Sequence, residues 1–169
     1  MRPPEDKRCG TAALACALRA FEGSDREALL DLWVAAWRET MPTIPFEERR
    51  EWLRGHLAQL ERRGFVLRCA TAAREGRILG FIVLSPEIRH LEQIVVDLRD
   101  WGKGVGGALL GEAKRLSPRG LWLDVNEGNP RAIAFYEKHG FRRLRAGLNP
   151  GSGLPTFRYA WGEAEPGET

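Results

Sequence analysis

A chain of 169 residues, 43% hydrophobic and 29% charged, carries enough apolar material for one well-buried core, and its length argues against two. No apolar run approaches the ~18 residues of a membrane-spanning helix, so no membrane partner is expected. The net charge of +3 is small and spread along the chain; without a cluster of basic and aromatic residues, no nucleic-acid partner is expected either.

Residues 1–15 read as a loosely ordered tail, and Met1-Arg2-Pro3-Pro4 does not lead into a signal-peptide apolar region and cleavage site. Cys9, Cys16 and Cys69 are odd in number and form no C-x-x-C pair. Reduced thiols in a cytoplasm are therefore expected, not a disulfide or zinc framework. Residues 16–21 read as a first strand. Ser24-Asp25-Arg26-Glu27 is a capping box, which predicts a helix start at Ser24. Leu29, Leu30, Trp33, Ala36 and Trp37 continue that helix toward Pro42.

After the Thr40–Pro45 loop, Phe46, Leu53, Leu57 and Leu60 mark a second helix that stops at Gly64. Trp33, Trp37 and Trp52 are assigned to the core. Strands are predicted at Phe65–Thr71 and Ile78–Leu84, paired as an antiparallel hairpin through the turn Arg74-Glu75-Gly76. Pro86 interrupts the chain before the next strand.

That strand, Leu91 to Val96, leads into a loop and then Gly102, Gly104, Gly106 and Gly107, four glycines in six residues. Val105, Ala108, Leu109, Glu112, Ala113 and Leu116 give the following helix one face. Unobstructed amides at the positive end of a helix make an anion site suited to a pyrophosphate. A turn that needs glycine only for its backbone angles would look the same locally. Ser117-Pro118 ends the helix, and Leu121–Val125 is a fifth strand. Asn129-Pro130 supplies an N-cap and a first-turn proline for a helix that ends at Gly140.

Phe141–Ala146 and Phe157–Trp161, joined by the Asn149–Pro155 loop, complete the sheet, and an acidic tail follows Gly162. The order is β-α-α-β-β-β-α-β-α-β-β. A right-handed crossover makes the fourth and fifth strands parallel, with antiparallel hairpins on either side. The fold class is α+β: a mixed, mostly antiparallel sheet of about seven strands with four helices. The domain reading is a tail at 1–15, one domain at 16–162 and a tail at 163–169.

Gly102-x-Gly104-x-x-Gly107 also satisfies a dinucleotide fingerprint, and Asp124 lies 20 residues past Gly104, about where a ribose-binding acid would stand. Five residues separate Val96 from Gly102, whereas that fingerprint follows its strand almost directly. The motif also arrives after an antiparallel hairpin, with too little chain left for a doubly wound sheet. Asp124 precedes Val125 and so falls inside its strand. The nicotinamide reading is set aside.

Ile94-Val95-Val96-Asp97 with Gly102-Lys103-Gly104-Val105-Gly106-Gly107-Ala108-Leu109-Leu110 resembles the acetyl-CoA motif of the GNAT N-acetyltransferase superfamily. Leu123-Asp124-Val125-Asn126-Glu127-Gly128-Asn129-Pro130-Arg131-Ala132-Ile133-Ala134-Phe135-Tyr136 and the residues on to Phe141 resemble its second motif. The resemblance covers about residues 17–162 and looks closest to small bacterial members of the YjaB kind. It implies the GNAT fold, and acetyl-CoA as co-substrate. It implies that Ile94, Val95 and Val96 offer backbone groups to the pantetheine arm. Gly102, Lys103, Gly104, Val105, Gly106 and Gly107 would wrap the pyrophosphate, with Asn129 near the pantetheine. Tyr136 would stand by the sulfur as general acid. Where the family often carries Arg or Gln, this chain has Trp101, which puts a side-chain phosphate contact there in doubt.

An amine nucleophile must lose a proton before it attacks. Alternation along the fifth strand puts Trp122, Asp124 and Asn126 on one face, with Leu121, Leu123 and Val125 on the other. Asp124 sits where the resemblance places a catalytic glutamate in the ribosomal-protein acetyltransferases. Glu92 shares a strand face with His90, near where other members place a glutamate base. Asp124 and Glu92 are the candidate bases, with His90 behind them. His56, His90 and His139 have no metal-ligand spacing, and no metal is expected. The expected activity is an acetyl-CoA-dependent N-acetyltransferase acting on a primary amine, small molecule or protein, by direct attack in a ternary complex. The alternative is a catalytically silent acyl-CoA-binding sensor or partner module. A homodimer is compatible with the family.

Overall fold

The computed structural model describes residues 16–163. The expected tail at 1–15, Cys9 and the residues after 163 lie outside the described residues. Among the described residues there are seven strands and four helices, in the expected order. The strands are β1 (Cys16–Ala20), β2 (Val66–Ala72), β3 (Ile78–Ser85), β4 (His90–Val96), β5 (Gly120–Asn126), β6 (Arg142–Leu148) and β7 (Pro155–Gly162). The helices are α1 (Arg26–Thr40), α2 (Arg50–Arg62), α3 (Val105–Leu116) and α4 (Pro130–Lys138). The sheet runs β1-β2-β3-β4-β5-β7-β6. β4 and β5 are parallel, with His90 opposite Trp122, while β1/β2, β5/β7 and β6/β7 are antiparallel.

Two compact units can be distinguished. One comprises residues 16–83 with Gln93–Glu112. Its core packs Leu29, Leu30 and Trp33 of α1 and Leu53, Leu57 and Leu60 of α2 with Leu67, Cys69, Phe81, Val83 and Val95. Every residue of β3 is buried, as its near-continuous apolar run demands of a strand covered on both faces. Gly80 interrupts that run for a steric reason. A Cβ there would lie 2.6 Å from the Val95 carbonyl oxygen and 2.9 Å from Leu109 Cδ1.

Two expectations need correction in this unit. α1 does not start at Ser24. A 3-10 turn at Gly23–Asp25 precedes it, capped reciprocally by Glu22 and Asp25. The buried Asp25 carboxylate accepts from Glu22 N–H at 2.8 Å and from the Arg19 guanidinium at 2.7 and 2.8 Å. Glu27, the expected partner of Ser24, instead pairs with Arg50 and Arg54. Trp52 is 55% exposed and stacks on His56 at 4.8 Å, because the buried stripe of α2 runs through its neighbour Leu53 and on to Leu57 and Leu60. Trp33 is core, packed edge-on against Phe46 at 5.3 Å.

The thiol expectation also changes. Cys69 is a free, buried thiol, pushed up to about 11 by burial, but Cys16 is disulfide-bonded. No helix among the described residues is long and apolar enough to cross a membrane.

The other unit comprises Leu84–Glu92 with residues 113–163. Leu121, Leu123 and Val125 of β5 are buried with Tyr136, Phe141, Tyr159 and Ala160, and the β5 alternation is as expected. Asn129 Oδ1 accepts from Ala132 N–H at 3.1 Å, so Asn129 is the α4 cap. Lys114 Nζ donates to the His139 carbonyl at 2.7 Å and lies 4.5 Å from the Trp161 ring centre. On β6, Arg143 faces Tyr159 of β7 but Arg145 faces Arg158, so Leu144 is an extra residue in the ladder.

Candidate active site

The glycine turn begins where β4 ends. Asp97 N–H donates to the Leu79 carbonyl at 2.8 Å. Backbone groups alternate edges along a strand, so Val96 turns its own N–H and C=O to the opposite edge. The Val96 carbonyl accepts the Trp101 indole N–H at 2.9 Å. Trp101 thus closes the loop between the strand end and the glycines instead of offering a side-chain phosphate contact.

Ion pairs brace the same loop. Asp100 is 1% exposed and receives Arg77 Nη1 at 2.8 Å. Asp97 accepts Arg99 N–H at 3.0 Å and the Arg99 guanidinium at 2.7 Å. The arginine holds the Asp97 carboxyl below the usual carboxylate range. Lys103 Nζ lies 3.4 Å from Asp100 Oδ1. Sequence reasoning singled out Lys103 but missed Arg77 and Asp100, because Arg77 comes from the β2–β3 turn and nothing in its local pattern marks the partner.

Gly102 and Gly104 hold φ of +76° and +87°, a region side chains rarely adopt. A Cβ on Gly102 would meet nothing within 4 Å, so glycine is needed there for its angle and not for space. The bond that opens α3 runs from Ala108 N–H to the Gly104 carbonyl at 3.1 Å. The amides of Val105, Gly106 and Gly107 therefore precede the helical ladder, which is the arrangement that receives an anion at a helix N-terminus.

The second group of candidates belongs to the other unit. Tyr136 is 7% exposed, lies 5.5 Å from the Phe141 ring, and is pushed above the normal phenol range by burial. Asp124 is bound through both oxygens by Arg158, at 2.8 Å each. Arg158 Cζ stands 4.2 Å from the Trp122 ring centre, and the His90 ring stacks on Trp122 at 3.8 Å with 6° between planes. His90 Nε2 lies 3.5 Å from Glu92 Oε2. Glu92, His90, Trp122, Arg158 and Asp124 therefore form one continuous row. Sequence alternation placed His90 with Glu92 and Trp122 with Asp124. It missed Arg158, which comes from β7 and links Trp122 to Asp124.

The family model for the acetyltransferase (GNAT) family matches residues 26–141. The chain belongs to that family. That family is one of acetyltransferases, and acetyl-CoA is the co-substrate of its members. It is 39% identical over 64 residues to the peptidyl-lysine N-acetyltransferase YjaB of Salmonella typhimurium, covering 38% of this chain and 42% of that protein. The chain thus spans less than half the length of that relative. To the peptidyl-lysine N-acetyltransferase YiaC of Escherichia coli it is 27% identical over 146 residues, 85% of this chain and 95% of that one.

Among solved structures, apo YjaB from Escherichia coli superposes with a TM-score of 0.70 at 27% identity, covering 89% of this chain and 99% of that one. The PaiA N-acetyltransferase of Thermoplasma acidophilum, solved with coenzyme A, shares the fold at a TM-score of 0.68 and 21% identity, over 86% and 98% of the two chains.

Proposed function

We propose that this GNAT member moves the acetyl group of acetyl-CoA to a primary amine by direct attack in a ternary complex. The observation that carries the reading is the glycine turn, where amides of Val105, Gly106 and Gly107 stand ahead of the first α3 hydrogen bond. With Gly102, Lys103 and Gly104 they would hold the pyrophosphate. Ile94, Val95 and Val96 would carry the pantetheine through backbone groups, and the Val96 carbonyl would share its lone pairs with Trp101. Asn129 would contact the cofactor through its amide nitrogen, since its oxygen caps α4.

Acetyl-CoA supplies the thioester. A lysine-like amine, with pKa ~10.4, must first give up a proton. We assign that step to Glu92 with His90. Asp124, the other candidate base, has both oxygens engaged by Arg158, and the pair would position Trp122. The amine nitrogen then bonds to the thioester carbon, the C–S bond breaks, and the thiolate takes the phenolic proton of Tyr136. Burial pushes that phenol up, so it holds its proton at neutral pH and gives it up only as negative charge develops on the departing sulfur.

YjaB and YiaC carry the name peptidyl-lysine N-acetyltransferase, and a lysine side chain is the acceptor we propose first. A silent acyl-CoA-binding module would use the same cradle, but membership of an acetyltransferase family favours turnover. Thermal shift with acetyl-CoA, CoA and NAD, followed by thiol release on an amine panel, tests the reading. Stabilisation by both CoA species but not NAD, with amine-dependent thiol release, is expected. No stabilisation by either CoA species would overturn it.

A further inference from the structure

The extra residue Leu144 decides which way Arg145 points. In a regular strand Arg143 and Arg145, two residues apart, would share a face. Here Arg143 is registered with Tyr159 and Arg145 with Arg158, and neighbours in register share a sheet face. The bulge therefore separates the two arginines. Arg143 goes to the side of Phe157, its Cζ 4.6 Å from that ring centre, and Arg145 goes to the side of Arg158. Bulges commonly re-aim a side chain in this way beside functional sites.

The registers let the charges on that face be read strand by strand. Asp124 of β5 faces Arg158 of β7, which faces Arg145 of β6; Trp122 faces Ala160, which faces Arg142. Across β5, β7 and β6 this face holds three guanidiniums against one carboxylate, Asp124, already bound through both oxygens. Arg142 donates to the Gly162 carbonyl at 3.3 Å. Arg145 is exposed and has no ion pair among the described residues. Arg158 turns its guanidinium toward Asp124 on β5, which leaves Arg145, its neighbour in register, as a cation of this face without a carboxylate partner among the described residues. The Glu92–His90 pair and Trp122 belong to the same row as Arg158.

We infer that Arg145 and Arg158 form an anion subsite for a carboxylate carried by the acceptor, close to the amine that is acetylated. Arg158 keeps one Nη group outside its two bonds to Asp124, and Arg145 offers its whole planar fork, the geometry that suits a carboxylate. The word acceptor rests on the function proposed above; the anion subsite does not.

Two acceptor pairs separate the sources of such a carboxylate: a lysine peptide flanked by glutamates against one flanked by glutamines, and a free α-amino acid against its carboxamide. The wild-type protein is expected to favour the carboxylate member by about tenfold in kcat/KM in one pair, and Arg145→Ala to remove that preference. Equal kcat/KM within both pairs, or an unchanged preference in Arg145→Ala, would overturn the inference. A readout independent of turnover is the Nε–H NMR signal of Arg158 during titration with glutarate. A saturable shift in the wild-type protein that is lost in Arg145→Ala supports the subsite. No saturable shift overturns it, whether or not the protein binds acetyl-CoA.

Discussion

The Trp101 indole N–H donates to the Val96 carbonyl at 2.9 Å, so the loop leading into the glycine turn is closed by a side chain onto the end of its own strand. Trp101→Phe keeps most of the ring and removes the donor. A hydrogen bond of this kind contributes about 1 kcal/mol, roughly fivefold in affinity. Calorimetric titration of the variant is expected to show acetyl-CoA binding weakened by about that factor.

Gly80 and Gly55 make opposite predictions. Gly80→Ala puts a Cβ 2.6 Å from the Val95 carbonyl oxygen, in a fully buried strand where overpacking costs about 1–3 kcal/mol. Gly55 lies inside α2 with nothing within 4 Å of a Cβ, so Gly55→Ala is expected to stabilise by about 0.5–1 kcal/mol. Urea unfolding of both variants measures the two signs.

Asp25 sets a pH dependence of stability. Hydrogen bonding from Arg19 lowers its pKa from the ordinary 3.8, against the opposing effect of burial. A carboxylate depressed in the folded state contributes stability that is complete above its unfolded pKa and is lost as pH falls through the folded one. Asp25→Asn is expected to cost about 1–3 kcal/mol at neutral pH. The gap to the wild-type protein should narrow below about pH 3.8. Thermal unfolding of both proteins between neutral pH and about pH 2.5 follows that gap.

Glu92 and Asp124 separate by pH profile. Glu92→Gln is expected to lower kcat by about 10²–10⁴ and to remove the acid limb of the profile. Asp124→Asn breaks a half-exposed ion pair and should cost about 1 kcal/mol of stability while the acid limb stays. Rate profiles of the two variants on one amine decide between them.

Most of the fold was legible because its elements follow from local pattern. The stripe Leu53, Leu57, Leu60, the cap Asn129-Pro130 and the alternation of β5 each carry their own geometry. What escaped depends on partners distant in the chain. The helix start moved because Arg19, six residues before Asp25, gives that carboxylate a second use. Arg77–Asp100 and Arg158–Asp124 join residues 23 and 34 apart, and no periodicity reports such pairs. The bulge at Leu144 reverses the alternation that a sequence pattern assumes. The glycine turn was readable because its chemistry is local: left-handed angles at Gly102 and Gly104 and amides ahead of α3.

The most direct test is the affinity of acetyl-CoA for the wild-type protein and for Gly104→Val, measured by calorimetry beside NAD. Gly104 holds a φ of +87°, which a β-branched residue resists, so the variant should displace the amides that open α3. Binding of acetyl-CoA but not NAD, weakened at least ~10-fold in Gly104→Val, about 1.4 kcal/mol, is the predicted result. Acetyl-CoA binding no tighter than NAD, or equally tight in the variant, would contradict the assignment of the glycine turn.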